Sequence, residues 1–416
     1  MTLLYKAGIF IYTLLVHLAS VFNAKAKLFV RGRRNWEENL VRKIDGKTKY
    51  IWFHCSSLGE FEQGRPVIEE LKIQFPDYKI VLTFFSPSGF EIRKNYELAD
   101  VVAYLPMDTK RNAQTFLNIV KPEKAFFVKY EFWYCYISEL KRKNIPLYIV
   151  SAIFRENQQF FKNTPWGKWY RKILFQVEHL FVQNEKSGEL LKSIGLSNFT
   201  VAGDTRFDRV AAIALSSKKL PIVEKFRGNS LLIVAGSTWN PDEELVAAFI
   251  NQNANIKFII APHEVSANNI NRIHELLKKP AISYSNVTET EVDRFQVLII
   301  DSVGLLSSLY RYGNIAYIGG GFGVGIHNIL EAATFGLPVI FGPNYKRFKE
   351  ALDLTSEGGA VSISNSDELR QALNNLVNDE NALKNASEIC KKYVAKNVGS
   401  TKVIIKKVFN SPLVMD

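Results

Sequence analysis

The sequence predicts an α/β protein of two doubly wound domains, each a parallel sheet covered by helices on both faces. Three observations carry that expectation: the length of 416 residues, an alternation of strands and helices that runs through the chain twice, and a polar, lysine-rich break at Ser216–Lys219 between the two series. A chain of this size exceeds one ordinary hydrophobic core. Apolar residues make up 47% of it, far above what a disordered chain carries.

The first element is the run from Ala7 to Phe22, almost wholly apolar or small, interrupted by His17 and followed by Lys25, Lys27, Arg31, Arg33 and Arg34. A membrane span needs roughly 20 apolar residues, and Leu3, Leu4 and Tyr5 extend the run toward that length. A secretory signal places its positive charge before the apolar stretch; here the charge comes after. Cationic flanks stay on the cytoplasmic side, so residues 1–24 are expected to form a membrane anchor helix, spanning or lying in the interface. The alternative is a helix packed on its own domain.

The first series of strands is read at Tyr50–His54, Ile80–Phe85, Val101–Leu105, Ala125–Val128, Leu147–Val150 and His179–Val182. The second is read at Leu231–Ala235, Lys257–Ala261, Val297–Asp301, Ile315–Ile318, Val339–Phe341 and Ala360–Ile363. Apolar, β-rich runs separated by amphipathic helices give a buried parallel sheet. The expected domains are residues 25–215 and 216–416, the second closing with successive helices from Ser366. Facing domains of this kind present their strand C-terminal ends to a common crevice.

The formal charge of +12 calls for a polyanionic partner: nucleic acid, an anionic lipid surface or a phosphorylated substrate. No stripe of basic and aromatic residues is legible beyond the cluster after the first helix, so nucleic acid is not expected. Cys55, Cys135 and Cys390 are far apart and odd in number, which suggests neither a disulfide framework nor a zinc site. No His and carboxylate set has metal-ligand spacing.

Two motifs carry chemistry. After the first strand comes Ser57-Leu58-Gly59-Glu60-Phe61, where Gly59 is expected to permit a tight turn and Glu60 to sit at a helix start, poised to accept a proton. A plain helix-dipole role is the competing account of Glu60. After the strand ending at Ile318 comes Gly319-Gly320-Gly321-Phe322-Gly323-Val324-Gly325-Ile326-His327-Asn328-Ile329-Leu330-Glu331. So many glycines let backbone amides approach an anion, and a helix is expected from His327, with Asn328 and Glu331 on one face to hold phosphate and ribose. The spacing fits neither a dinucleotide fingerprint nor a triphosphate loop, which points to a nucleotide sugar. Weaker elements lie at other strand ends: Gly203 to Arg209 with the cation Arg206, Ser237-Thr238-Trp239, Pro262-His263, and Lys129-Tyr130-Glu131-Phe132-Trp133.

At these residues the chain resembles the Kdo transferases, which move 3-deoxy-D-manno-octulosonic acid (Kdo) from CMP-Kdo to a lipid A precursor. The resemblance runs from about Tyr50 to the last helices and rests on Ser57 to Phe61, Glu131-Phe132-Trp133, Gly203 to Asp208, Ser237-Thr238 with Asp242-Glu243-Glu244, Gly319 to Gly321, and His327-Asn328 with Glu331. It implies a GT-B fold, an inverting and metal-independent transfer without cofactor, and attachment at the cytoplasmic face of a Gram-negative inner membrane.

The resemblance further implies that Glu60 is the base, with Ser57, Gly59 and Glu131 supporting the acceptor and transition state. The donor would be held by Arg206, Ser237, Thr238, Pro262, His263, Gly319, Gly320, Gly321, His327, Asn328 and Glu331. Arg206 stands where such enzymes usually carry Lys. Pro262-His263 stands where the family commonly has Pro-Arg-His, and Lys129 where an acidic residue is common. The partners implied are CMP-Kdo, a lipid A precursor and an anionic membrane surface, with no nucleic acid. Competing readings are another nucleotide-sugar enzyme of the same fold, such as a UDP-sugar transferase or epimerase, and a non-catalytic, membrane-bound nucleotide sensor.

Overall fold

The computed structural model describes residues 1–410. The chain divides into two compact units, one of Met1–Arg209 with the segment from Val398 onward, the other of Val210–Asn397.

The first unit holds β1 (Tyr50–Cys55), β2 (Lys79–Phe84), β3 (Val101–Tyr104), β4 (Lys124–Val128), β5 (Leu147–Ala152), β6 (His179–Val182) and β7 (Phe199–Val201). They pair in parallel in the order β3-β2-β1-β4-β5-β6-β7. All six residues of β1 are buried, as expected of a central strand covered on both faces. Successive residues point to opposite faces, so Trp52 enters a core with Phe116, Phe127 and Tyr136, while Phe53 enters another with Phe61 and Phe126.

That second core is completed by Ile404, Ile405 and Val408 of the helix Ser400–Phe409. The last helix therefore belongs to the first unit, which corrects the expected extent 216–416 of the second domain. Its apolar stripe explains the placement: burying one such side chain contributes about 1.5–3 kcal/mol, and Phe409 also stacks on Phe75 at 4.7 Å. Asp208 fastens the helix start, accepting hydrogen bonds from the Gly399 amide at 2.6 Å and the Thr401 amide at 2.7 Å.

The N-terminal helix, Thr2–Ala19, has the length and apolar character of a membrane span. One stripe of it, Thr2, Tyr5, Ile9, Thr13 and Val16, is half-buried against the first unit. Tyr5 donates to Asp108 at 2.5 Å and lies edge-on to Tyr134. The remaining apolar side chains, among them Leu3, Phe10, Leu14 and Leu18, are exposed. Of the cations that follow, Arg33 does not face outward: its guanidinium donates to the carbonyls of Leu105 and Phe85 at 2.9 and 2.6 Å and covers the Phe29 ring at 3.6 Å. Burial lowers its pKa to about 10.

The second unit holds β8 (Leu232–Thr238), β9 (Lys257–Pro262), β10 (Ala281–Ser283), β11 (Val297–Ile299), β12 (Ile315–Ile318), β13 (Val339–Phe341) and β14 (Ala360–Ser362), again parallel, in the order β10-β11-β9-β8-β12-β13-β14. In both sheets the chain starts in the middle and winds first one way, then the other. The winding reverses between β1 and β4 in the first unit and between β8 and β12 in the second. In open α/β sheets these reversals are where ligands bind, beyond the strand C-terminal ends.

Candidate active site

At the first reversal, the loop after β1 leads into the helix Leu58–Gln74, with Ser57 as its N-cap and Glu60 in its first turn. Glu60 Oε2 accepts hydrogen bonds from the Ser57 amide at 2.7 Å and the Ser57 hydroxyl at 2.5 Å. One carboxylate oxygen is thereby fixed by the helix start in a capping box, a local role beyond the helix-dipole account weighed for Glu60, and it orients a half-buried side chain. Gly59 does not play its expected part. Its φ is not positive, and a Cβ there would meet nothing closer than Ser57 Oγ at 3.8 Å, because it is an ordinary second residue of the helix, not the turn itself.

The loop after β4 begins with Lys129 in a left-handed conformation, φ 67°, which for a non-glycine residue stores strain of a kind that clusters at functional sites. Glu131 follows and is buried. Its Oε2 accepts from Trp133 Nε1 at 2.5 Å and lies 3.2 Å from His54 Nε2. The other ring nitrogen of His54 faces the hydroxyl and carbonyl of Thr83 at 2.9 and 3.2 Å. Trp52 Nε1 donates to the same hydroxyl at 2.8 Å. A buried carboxylate costs several kcal/mol unless compensated, and this chain of partners compensates it.

Glu131 lines a cavity of about 480 Å³ with Tyr5, Ile9, Trp133, Arg155 and Tyr170. Burial pushes the Cys55 thiol well up, and the carboxylates of Glu60 and Glu131 add to it. Burial likewise raises Tyr130, with Arg155 and Glu60 acting on it in opposite directions. The two carboxylates, Tyr130 and Arg155 thus share one neighbourhood.

Arg206, expected to meet the donor, donates from Nε to Asp204 Oδ2 at 2.8 Å. Asp204 also accepts from Gln63 at 3.1 Å.

At the second reversal, β8 ends in Ser237, with φ 53°, and Thr238, whose hydroxyl donates to Glu243 at 3.0 Å. Glu243 is fully buried and paired with Arg272. Asp242, also fully buried, accepts from Tyr317 at 2.7 Å, the Trp239 amide at 2.9 Å and the Gly320 amide at 2.9 Å.

The glycine loop differs from expectation in two ways. The Gly320 amide is occupied by Asp242, and the amides of Gly323 and Gly325 return to the Gly320 carbonyl, so these donors organise the loop itself. Gly320 needs its positive φ of 90°, and a Cβ at Gly321 would stand 2.6 Å from the Gly342 backbone. The helix expected from His327 starts at Leu330 and is a single turn, Leu330–Ala333. Asn328 accounts for the delay: its side-chain oxygen accepts from the Leu330 amide at 3.2 Å, a local bond that competes with helix. Asn328 and Glu331 do meet, at 3.1 Å, and Ser307 donates to Glu331 at 3.2 Å.

Pro262 ends β9, and His263 beyond it is exposed yet stacked. Trp239 stacks on His263 at 4.5 Å, and His263 on His327 at 4.7 Å. Trp239 Nε1 donates to His327 Nε2 at 3.0 Å. That bond requires an unprotonated Nε2, in keeping with burial and His263 holding the His327 pKa below the usual histidine value.

His54, Thr83 and Arg272 were not singled out from the sequence for their chemistry, and Asp242 only as part of a resemblance. The one available signal was a histidine ending an otherwise apolar central strand.

Comparison with known proteins follows the same lines. Residues 34–209 match the family model of the 3-deoxy-D-manno-octulosonic-acid transferases (kdotransferase). The chain is 27% identical over 375 residues to the 3-deoxy-D-manno-octulosonic acid transferase of Rickettsia typhi, covering 86% of this chain and 79% of the relative. To the transferase of that name from Haemophilus influenzae it is 26% identical over 386 residues, covering 84% and 88%. Among solved structures, UDP-GlcNAc 2-epimerase from Neisseria meningitidis, bound to UDP-GlcNAc, superposes with a TM-score of 0.60 at 16% identity, covering 87% of this chain and all of that one. At that identity the likeness is one of fold, and the fold is GT-B.

Proposed function

We propose that the chain, similar over most of its length to the Kdo transferases, moves Kdo from CMP-Kdo to a lipid A precursor, with inversion and without a metal. One observation carries the reading most: each sheet presents its motif loops at the reversal of its winding, carboxylates at β1 and β4, glycines and hydroxyls at β8 and β12. In this reading the Glu60 oxygen not held by Ser57 takes the proton of the acceptor hydroxyl as the hydroxyl oxygen attacks the anomeric carbon. CMP departs with the electrons of the broken bond. The second unit holds the nucleotide through Ser237, Thr238, Asn328 and Glu331, with His263 and His327 beside them. Glu131, fixed by His54 and Trp133, orients the acceptor.

The exposed apolar side chains of Thr2–Ala19 and the cations Lys25, Lys27, Arg31 and Arg34 support attachment to the cytoplasmic face of an inner membrane. Removal of residues 1–24 is expected to release the protein from membranes; continued sedimentation with them at high salt contradicts the assignment. For the donor, a ligand that binds only the folded state raises its melting temperature. CMP is expected to protect and UDP not. Protection by UDP alone would favour a UDP-sugar enzyme of the same fold.

A further inference from the structure

The arginine that the resemblance implies after Pro262 is absent, His263 standing there instead, yet a nucleotide sugar with a phosphate and a sugar carboxylate needs positive charge. Arg272 does not supply it freely, since Glu243 holds its guanidinium. His327 accepts the Trp239 indole N–H at Nε2, and burial and His263 lower its pKa. The segment after β13 is stapled to the glycine loop: the Asn344 amide donates to the Gly321 carbonyl at 3.0 Å, and its side chain to the Gly323 carbonyl at 2.8 Å. Three residues on, the Arg347 guanidinium lies over Gly325, close enough that a Cβ on Gly325 would collide with Nη2. Gly325 has φ 143°, a conformation side chains rarely adopt, so the loop stays bare beneath the guanidinium. Arg347 is exposed, and among the described residues no carboxylate is paired with it, whereas neighbouring Lys349 is bound to Asp353.

We infer that Arg347 is the donor-site cation of this chain, contacting an anionic group of the nucleotide sugar, phosphate or carboxylate, and replacing the arginine absent after Pro262. The glycine loop then meets two kinds of recognition, His327 of the Trp239–His263–His327 stack at Gly320 and a positive charge at Gly325. A guanidinium suits both anions because its planar fork matches their paired oxygens. The inference deepens the proposed donor assignment and rests on it.

Calorimetric titration of wild type, R347Q and R347K with cytidine, CMP and CMP-Kdo tests it. A hydrogen bond to a charged group corresponds to roughly a ten- to hundred-fold change in affinity, so R347Q is expected to lose about that much for CMP-Kdo, with R347K between the two. An equal loss for CMP identifies the phosphate as the contact; a loss confined to CMP-Kdo identifies the carboxylate; cytidine should be indifferent. Arg347 is exposed, so the melting temperature should not move. Equal affinity of wild type and R347Q for both anionic ligands overturns the inference. Should wild type bind no cytidine nucleotide, the donor assignment falls first. The same pair is then titrated with UDP-N-acetylglucosamine, where equal or absent binding overturns the role of Arg347 as well.

Discussion

The two units share a topology and differ in the chemistry placed at its turning point. In the first, carboxylates converge beyond β1 and β4: Glu60, held by one oxygen at a helix start, and Glu131, buried against His54. In the second, acidic groups beyond β8 are turned inward. Asp242 and Glu243 are fully buried and spent on the glycine loop, Thr238 and Arg272, leaving glycines, the imidazoles of His263 and His327, and Arg347 in the loop region. Under the proposed function, the same scaffold would offer a proton acceptor at one reversal and an anion-binding surface at the other, a division that suits transfer of an acidic sugar from a nucleotide to a hydroxyl.

The largest expected effect separates chemistry from binding. General-base catalysis is typically worth about 10²–10⁴ in rate, so Glu60→Gln should lower single-turnover transfer by that order while donor affinity survives. Glu131→Gln should lose less, acting through position. Near wild-type turnover in Glu60→Gln moves the base elsewhere, with Glu131 next in line.

A second test addresses what holds Glu131. His54→Leu leaves a buried carboxylate short of a partner, and stranding a buried hydrogen-bonding group costs about 1–3 kcal/mol. Urea unfolding should show that loss, and His54→Gln, which places a polar amide at that position, should recover part of it. Equal stability in wild type and His54→Leu would show that Trp133 alone suffices.

The smallest effect belongs to the second unit. Asn328→Ala and Glu331→Ala each remove one neutral or partly exposed bond, worth about 0.5–1.5 kcal/mol, hence a loss of CMP affinity of a few-fold to about ten-fold. Unchanged affinity in both variants removes these residues from the donor site.

Much of the fold was legible. Runs such as Ile51-Trp52-Phe53 and Phe258-Ile259-Ile260 are continuous apolar segments, and burial on both faces of a parallel sheet accounts for them. The missed strands, Phe199–Val201 and Ala281–Ser283, are three-residue edges, too short for any period to show. The fate of Ser400–Phe409 was hidden because an apolar stripe says that a helix packs, not on what. Glu60 and the glycine loop were visible through spacing. His54 was not, because its role depends on Thr83 arriving from β2 and Glu131 from the loop after β4, and Arg347 was not, because only the fold brings it to Gly325.

The central claim is the reaction itself, tested most directly by incubating the purified full-length protein with CMP-Kdo and a tetraacylated lipid A precursor and weighing the lipid by mass spectrometry. The account predicts a lipid heavier by one or more Kdo residues, formed with CMP-Kdo and lost in Glu60→Gln. An unchanged lipid, from protein that binds CMP-Kdo and remains folded, would contradict it.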